Sequence, residues 1–177
     1  MLYTTPTAFT LYDLSGSLTA DNEFRDAEAH CAYYCQIVNH NPLSTKITRL
    51  TDWSRQPLAP FTEPWTSWLF FTSNDAMEGY IKFGSREPSP MGGYLSKRQP
   101  MSESRWFTGL NGRHFKWKPA SRSLHCYDSN DTLLAVYEYC VEDIVFAKLD
   151  IKKGAESMLT EIVTTLVLNR HAIRRSP

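Results

Sequence analysis

Seven basic side chains are concentrated between residues 97 and 122 of this 177-residue chain, where Glu103 is the single acid. They are Lys97, Arg98, Arg105, Arg113, Lys116, Lys118 and Arg122. Seven minus one gives this segment a local charge of +6, although 19 basic and 19 acidic residues balance over the whole chain. If Lys116 and Lys118 project from one strand face beside Arg105 or Arg122, they can attract the phosphates of an anionic lipid. The alternative is a solvated strand face that pairs with the acidic residues 1–30, because charged faces usually just solvate a sheet.

A second group combines residue types that bind zinc: His30, Cys31, Cys35 and His40 lie within eleven residues. Along a strand, Cys31 and Cys35 would be about 13 Å apart, too far to share one ion, whereas a helix would bring them within one turn. Their spacing matches no zinc finger. We therefore predict buried thiols rather than a metal site, and no cofactor.

Acid–base chemistry is the third possibility, since His114, His125, Asp128, Glu138 and several tyrosines could line a pocket. The sequence contains no G-x-S-x-G, no phosphate-binding glycine loop and no H-E-x-x-H. No catalytic residue can be assigned on this basis. An enzyme acting on a small molecule stays the alternative hypothesis. A protein-interaction module that uses aromatic side chains such as Trp53, Trp65 and Tyr94 is a further one.

Size and composition fit one soluble domain spanning residues 1–177. The neutral charge balance argues against a nucleic-acid binder. The first residues lack a secretory signal, and no apolar run approaches the ~20 residues that span a bilayer. Four cysteines are too few for a disulfide scaffold. We expect a cytoplasmic protein that can associate peripherally with membranes, and the sequence leaves its oligomeric state open.

Short aromatic-rich segments separated by turns predict about ten strands, arranged as a barrel or a sandwich. In the N-terminal part, residues 1–65, the strands are poorly defined. The sequence favours strands at 8–14, 31–38 and 46–53 and a helix at 21–30. A loop is marked by Pro57, Pro60 and Pro64. The strand-rich core is predicted for residues 66–151, with strands at 67–72, 79–83, 94–97, 105–110, 113–118, 123–128, 132–140 and 143–151 and a loop at 86–93. Asn111-Gly112 is typical of a tight hairpin turn. In the strand that follows, successive side chains alternate, so Phe115 and Trp117 lie on one face and Lys116 and Lys118 on the other.

The last segment changes period. Met158, Leu159, Ile162, Val163, Leu166 and Val167 recur at helical spacing, which predicts a helix over residues 155–173. β-Branched residues dominate it and favour helices weakly, so burial must hold it helical; a final strand is the alternative. Arg170, His171, Arg174 and Arg175 suit its C-terminal end.

Three segments, WFTGLNGRHFKWKP, LHCYDSNDTLLAVYEY and LTEIVTTLVLNRHAIRR, together resemble a fungal domain family of unknown function that is abundant in mushroom-forming fungi. The resemblance covers roughly residues 66–175 and carries over no catalytic residue. It implies membership of the tubby C-terminal-like superfamily, with the LURP-one-related proteins and phospholipid scramblases. That superfamily implies a mainly β fold, an antiparallel β-barrel enclosing a hydrophobic C-terminal helix, and binding of phosphoinositides.

The sequence therefore predicts a non-catalytic binding module. Its expected partner is an anionic phospholipid or membrane surface, bound through the basic residues between Lys97 and Arg122. The alternative is a small-molecule enzyme whose site lies at the rim of the barrel, because a helix inside the barrel leaves little central room.

Overall fold

The computed structural model describes residues 5–54, 64–74, 76–141 and 144–175, which form one antiparallel sheet and a long C-terminal helix. The strands are β1 (Thr7–Asp13), β2 (Asn22–Arg25), β3 (Cys31–His40), β4 (Leu43–Arg49), β5 (Thr66–Phe71), β6 (Gly79–Phe83), β7 (Ser89–Pro90), β8 (Arg105–Thr108), β9 (His114–Ala120), β10 (Ser123–Asp128), β11 (Leu133–Tyr139) and β12 (Ala147–Lys152). The helices are α1 (Thr51–Ser54), α2 (Met91–Tyr94), a 3₁₀ turn (Glu156–Met158) and α3 (Leu159–Arg175).

Strand patterning follows the predicted alternation. In β4, β10 and β12 every second residue is buried, because successive side chains of a strand point to opposite faces. In β9, Phe115 and Trp117 are buried, whereas Lys116 and Lys118 lie on the outer face, as predicted. The twelve-stranded order runs β7-β6-β5-β4-β3-β2-β1-β12-β11-β10-β9-β8, so the first strand, β1, pairs with the last strand, β12.

The structure corrects several predicted elements. Residues 21–30 were expected to favour a helix, but they contain β2, whose Phe24 is fully buried between β1 and β3. Tertiary burial outweighs the local preference there. The predicted strand 46–53 ends at Arg49 and is followed by α1, and the predicted loop 86–93 contains β7 and most of α2. The predicted strand 94–97 contributes only an isolated bridge, Ser96 to Trp106. Pro57 and Pro60 lie outside the described residues.

The Asn111-Gly112 hairpin forms, but its connection is longer than the predicted tight turn. Gly109 N–H donates to the Arg113 carbonyl, and Gly112 N–H donates to the Gly109 carbonyl. Gly112 has a φ of +79°, whereas Asn111 is not among the positive-φ residues. A two-residue type I′ turn requires positive φ at both central positions, so β8 and β9 are joined instead by the five residues 109–113.

The predicted C-terminal helix is confirmed, and its environment explains its β-branched composition. Fourteen of the seventeen residues of α3 are buried. Its threonine hydroxyls bond to side chains from three strands: Thr160 to Tyr33 at 2.7 Å, Thr164 to Ser67 at 2.6 Å, and Thr165 to Trp117 Nε1 at 2.9 Å. Those partners belong to β3, β5 and β9, so the curved sheet contacts the helix on several sides. Burial therefore compensates for weak helix propensity.

The described strand pairing does not close the sheet into a barrel, which corrects the predicted closed β-barrel. In the described ranges no strand ladder joins β7 to β8, the two ends of the order. Instead α2 lies between them: Tyr94 packs against Phe83 of β6 and against Phe107 of β8. Short strands and aromatic packing replace a backbone ladder along this gap.

The register also shows which connections share an end of the sheet. The C-terminal end of α3 lies beside three connections between strands. Arg170 donates to the Gly16 carbonyl in the β1–β2 connection, and Arg175 donates to the Ser73 and Ala76 carbonyls in the β5–β6 connection. His171 lines a cavity together with His40, which precedes the β3–β4 connection. The β8–β9 turn lies at the opposite end, where Leu110 N–H donates to Glu161 near the start of α3. No described helix is long and apolar enough to cross a bilayer.

Candidate functional site

A row of cationic and aromatic side chains crosses the outer face of β8, β9 and β10. The register aligns Trp106 with Lys116 and Lys116 with Tyr127. The Arg98 guanidinium lies 3.7 Å from the Trp106 ring centroid, and Lys116 Nζ lies 5.1 Å from Trp106 and 5.8 Å from Tyr127. These distances fit cation–π contacts. We call Arg98, Trp106, Lys116 and Tyr127 the cation–aromatic row.

Two of the predicted basic residues are already paired with acids. Lys116 Nζ donates to Asp131 at 2.5 Å, which lowers the pKa of that carboxyl, and Arg113 lies 3.4 Å from Asp128. Lys97, Arg98, Lys118 and Arg122 are exposed and have no acidic partner in the part of the chain that the structure describes. These four side chains carry the net positive charge of this face.

Arg105 does not lie on that face. It is 7% exposed and sits opposite Trp117 on the inner side of β8. Burial lowers the pKa of its guanidinium. The two-residue period of β8 explains the placement, since Arg105 and Phe107 point inward when Trp106 and Thr108 point outward. The structure thus brings six of the seven predicted residues to the outer surface or its turns.

Of the predicted acid–base residues, His114, His125 and Glu138 lie on the outer strand surface, whereas Asp128 is buried at the end of β10. His125 Nε2 is 2.9 Å from Ser123 Oγ and its Nδ1 is 3.1 Å from Tyr127 Oη, so three successive outward residues of β10 form a hydrogen-bonded chain. Burial and, to a smaller extent, Lys118 lower the pKa of His125. His114 lies 3.2 Å from Thr108 on the neighbouring strand. None of these side chains lines the cavities described below.

The four zinc-type residues are dispersed along β3, as a strand geometry requires. His30 contacts Asp26 and Glu28, Cys35 is buried in the core, and His40 lies at the far end of the strand. Burial raises the pKa of the Cys31 thiol to about 11, which keeps it protonated. Among the described residues no group of three His, Cys, Asp or Glu could hold a metal ion.

Two neighbouring cavities open at the C-terminal end of α3 and share Thr19 and Arg174. The larger has a volume of about 460 Å³ and the smaller about 300 Å³. His40, Asn74, His171, Arg174 and Arg175 supply the polar lining of the larger cavity, which we call the helix-end cavity. The described lining contains two arginines and two histidines and no carboxylate.

His171 and Arg175 are fixed in place by Phe71. The His171 ring centroid lies 4.7 Å from the Phe71 ring, and the Arg175 guanidinium lies 3.9 Å from it. Arg175 also donates to the carbonyls of Ser73 and Ala76. His171 is 1% exposed, and its Nε2 has no hydrogen-bond partner among the described residues. Burial, reinforced by the nearby arginines, lowers the pKa of His171 to about 3, so the ring is neutral.

Arg170 lines the smaller cavity and forms hydrogen bonds with residues in and after β1. Its Nη1 donates to Asp13 Oδ2 at 3.3 Å and its Nη2 donates to the Gly16 carbonyl at 2.6 Å. Tyr137 Oη donates to the same Asp13 oxygen at 2.6 Å, and Asn22 donates to the other oxygen at 2.7 Å. This network fixes the last turns of α3 against β1.

A second outward patch of aromatic residues lies on β4, β5 and β6. Trp68 and Phe70 are stacked with ring centroids 5.4 Å apart, Tyr80 is half-exposed beside them, and Lys46 lies 5.4 Å from the Trp68 centroid. Of the aromatic residues predicted for a protein contact, Trp53 is buried against Phe9. An unbroken aromatic run such as residues 67–72 favours a strand buried on both faces, but in β5 only Ser67, Leu69 and Phe71 are buried.

The architecture defined by these observations is an antiparallel sheet curved around a buried C-terminal helix. The chain belongs to a family of unknown function, DUF6593, which it matches over residues 17–175. The match begins well before residue 66, so β2, β3 and β4 lie within the matched region, whereas β1 precedes it. Neither a curated protein nor a solved structure matches this chain.

Proposed function

We propose that this protein is a non-catalytic module that binds an anionic membrane surface through the outer face of β8, β9 and β10. The observation that carries the proposal is the cation–aromatic row together with the neighbouring exposed bases Lys97, Lys118 and Arg122. Each basic residue near an anionic bilayer contributes about 1 kcal/mol to binding. Trp and Tyr side chains favour the headgroup region, because their rings are apolar and their tips are polar.

Met101 is an exposed apolar side chain close in sequence to these bases. It lies three residues after Arg98 in the connection to β8 and is 95% exposed. An exposed, flexible apolar side chain beside bases can enter the interfacial region while the bases contact phosphates. Arg105 is excluded from the proposed surface because it points inward. Lys116 and Arg113 contribute less net charge than expected, because Asp131 and Asp128 pair with them.

We also infer kinship with the tubby-like superfamily and a peripheral, cytoplasmic role at membranes. The enclosure of α3 by strands on several sides supports the kinship, and the basic outer face supports the role. Binding of the headgroup phosphates is electrostatic in this proposal. It therefore weakens as salt screens the charges.

Vesicle co-sedimentation tests the proposal. The protein should bind phosphatidylcholine vesicles that contain phosphatidylserine and not vesicles of phosphatidylcholine alone. Lys118→Glu with Arg122→Glu should weaken binding about thirtyfold or more, since two bases are lost. The matched control is Lys153→Glu with Arg86→Glu, which makes the same charge change at exposed turns outside the proposed surface. Binding that ignores lipid charge, or that both double variants weaken equally, would exclude this surface.

The helix-end cavity is the observation that favours the alternative, a small-molecule enzyme with a site at the rim of the sheet. Acid–base catalysis needs groups that exchange protons near the working pH. The described lining offers arginines and the buried, neutral His171, and no carboxylate. This set is better suited to hold an anion than to move protons. We therefore treat the cavity as a binding site.

A further inference from the structure

We propose that the helix-end cavity binds the oxyanion of a small organic acid, a carboxylate or a phosphate, with His171 Nε2 and Arg174 as its direct ligands. The site is separate from the outer face that we propose for membranes, because none of its lining residues belongs to β8, β9 or β10.

The unpartnered nitrogen is the first reason. Buried polar atoms in folded proteins are nearly always hydrogen-bonded, and leaving one without a partner is costly. His171 is 1% exposed and lines the cavity, yet its Nε2 has no partner among the described residues. The ring is held by Phe71, so Nε2 cannot easily turn toward another group. A neutral ring that carries its proton on Nε2 would donate to an oxyanion.

Charge selects the class of ligand. Arg174 is exposed, lines both cavities, and has no acidic partner in the described ranges. Arg175 also lines the helix-end cavity, but its guanidinium donates to the Ser73 and Ala76 carbonyls. It therefore attracts an anion through its positive charge rather than through a direct hydrogen bond. Guanidinium groups bind carboxylate and phosphate in a bidentate geometry, which makes Arg174 the group that captures the anion.

Size and the apolar wall limit the rest of the ligand. A volume of about 460 Å³ is in the range of sites for small organic molecules and exceeds what an inorganic ion fills. Leu43 lies in the lining and gives it an apolar part, and Asn74 is held by its bonds to Leu43 N–H and the His40 carbonyl. The cavity therefore fits a compact acid with one small apolar group.

Benzoate, benzamide and inorganic phosphate are the probes. Titration into the full chain labelled with ¹⁵N-histidine should show saturable shifts of the His171 ring with benzoate in the millimolar range, and weaker shifts with phosphate. Neutral benzamide, which has the same shape, should not bind. Arg174→Gln should weaken benzoate binding at least about tenfold, the size of one charge-assisted hydrogen bond. The exposed control Arg122→Gln should leave it unchanged.

A second variant separates binding from packing. His171→Phe keeps the contact with Phe71 and removes Nε2, so benzoate affinity, followed through the Leu43 and Asn74 amide resonances, should fall while the melting temperature does not. Vesicles containing phosphatidylserine should not displace benzoate if the ligand is a soluble acid, whereas displacement would identify a lipid headgroup as the source of the anion. Equal binding of benzamide, no saturable binding at about 10 mM benzoate, or unchanged affinity in Arg174→Gln would each overturn the proposal.

Discussion

Asp13 and Arg170 lie 157 residues apart in the chain and meet inside the protein, where Arg170 Nη1 donates to Asp13 Oδ2 at 3.3 Å. Asp13 is fully buried, and Arg170 is almost so. The pair joins the end of β1 to the last turns of α3. It therefore fixes the end of α3, where Arg170 lines the smaller cavity, against β1.

Removing one partner should be strongly destabilising. Arg170→Met leaves the Asp13 carboxylate buried without its cation, and we expect it to lower the free energy of unfolding by about 3–5 kcal/mol in urea. Arg25→Met is the control, because Arg25 forms a solvent-exposed pair with Glu23 at 2.7 Å, and pairs of this kind contribute little to stability.

The double variant Asp13→Asn with Arg170→Met should lose less stability than the sum of the single changes. The neutral side chain of Asp13→Asn does not need a cation beside it, so losing Arg170 costs less stability in that background. Some loss remains, because Tyr137 and Asn22 donate hydrogen bonds to the Asp13 carboxylate. Additive losses would show that the two residues stabilise the fold independently.

Enclosure of α3 makes its centre intolerant of charge. Val163 is fully buried, and Val163→Asp places an unpaired carboxylate among apolar groups at a cost of several kcal/mol. Since domains are stable by only about 5–15 kcal/mol, we expect most of the cooperative unfolding transition to be lost. Circular dichroism during heating measures this.

The matched control for that change is Val38→Asp, the same substitution at a half-exposed position on β3. It should shift stability by no more than about 0.5 kcal/mol, as is usual for surface changes. A Val163→Asp protein that melts like Val38→Asp would mean that α3 is not enclosed.

The sequence predicted the elements whose period was strong. The alternation in β9 and β10 and the helical spacing of α3 come from the side chains that fill the core, so pattern and burial agree. β2 was missed because its four residues are too short to show a period, and their burial depends on β1 and β3. The gap between β7 and β8 was missed because hydrogen-bonding between distant strands leaves no local signal.

Of the two candidate sites, the sequence predicted the basic cluster but not the helix-end cavity. The basic cluster was visible as charge density, but only the register shows that Arg105 points inward and that Asp131 pairs with Lys116. The helix-end cavity was not predicted. Its residues come from four separate connections and strands, and His171 and Arg174 were interpreted as helix-end residues. The lack of a partner for His171 Nε2 among the described residues depends on how distant segments pack, which the spacing of residues in the sequence does not predict.

The buried His171 should make stability depend on pH. Its folded pKa, about 3, lies below the ordinary 6.5, so the unfolded state takes up a proton first as the pH falls. Its contribution to stability is full above pH 6.5 and is lost as the pH falls toward 3. Relative to His171→Phe, the wild-type protein should lose about 3 kcal/mol between pH 7 and pH 4 in urea unfolding.

Phe115→Leu is the control for that measurement. Phe115 is a buried ring that packs against Phe107 rather than against His171, so its loss should lower stability by a similar amount at pH 7 and pH 4. If His171→Phe and the wild-type protein have parallel pH profiles, His171 takes up its proton at the same pH in the folded and unfolded states, which contradicts a ring kept neutral by burial.

The membrane proposal is tested most directly by locating the tryptophan that touches lipid. Trp106 lies in the cation–aromatic row, and Trp68 lies in the patch on β4, β5 and β6. Each is replaced by Phe, and fluorescence is recorded with phosphatidylserine vesicles whose acyl chains carry bromine, a short-range quencher. We predict quenching in the wild-type protein and in Trp68→Phe, and its loss in Trp106→Phe. Quenching that disappears only in Trp68→Phe, or no quenching in any of the three proteins, would contradict binding through β8, β9 and β10.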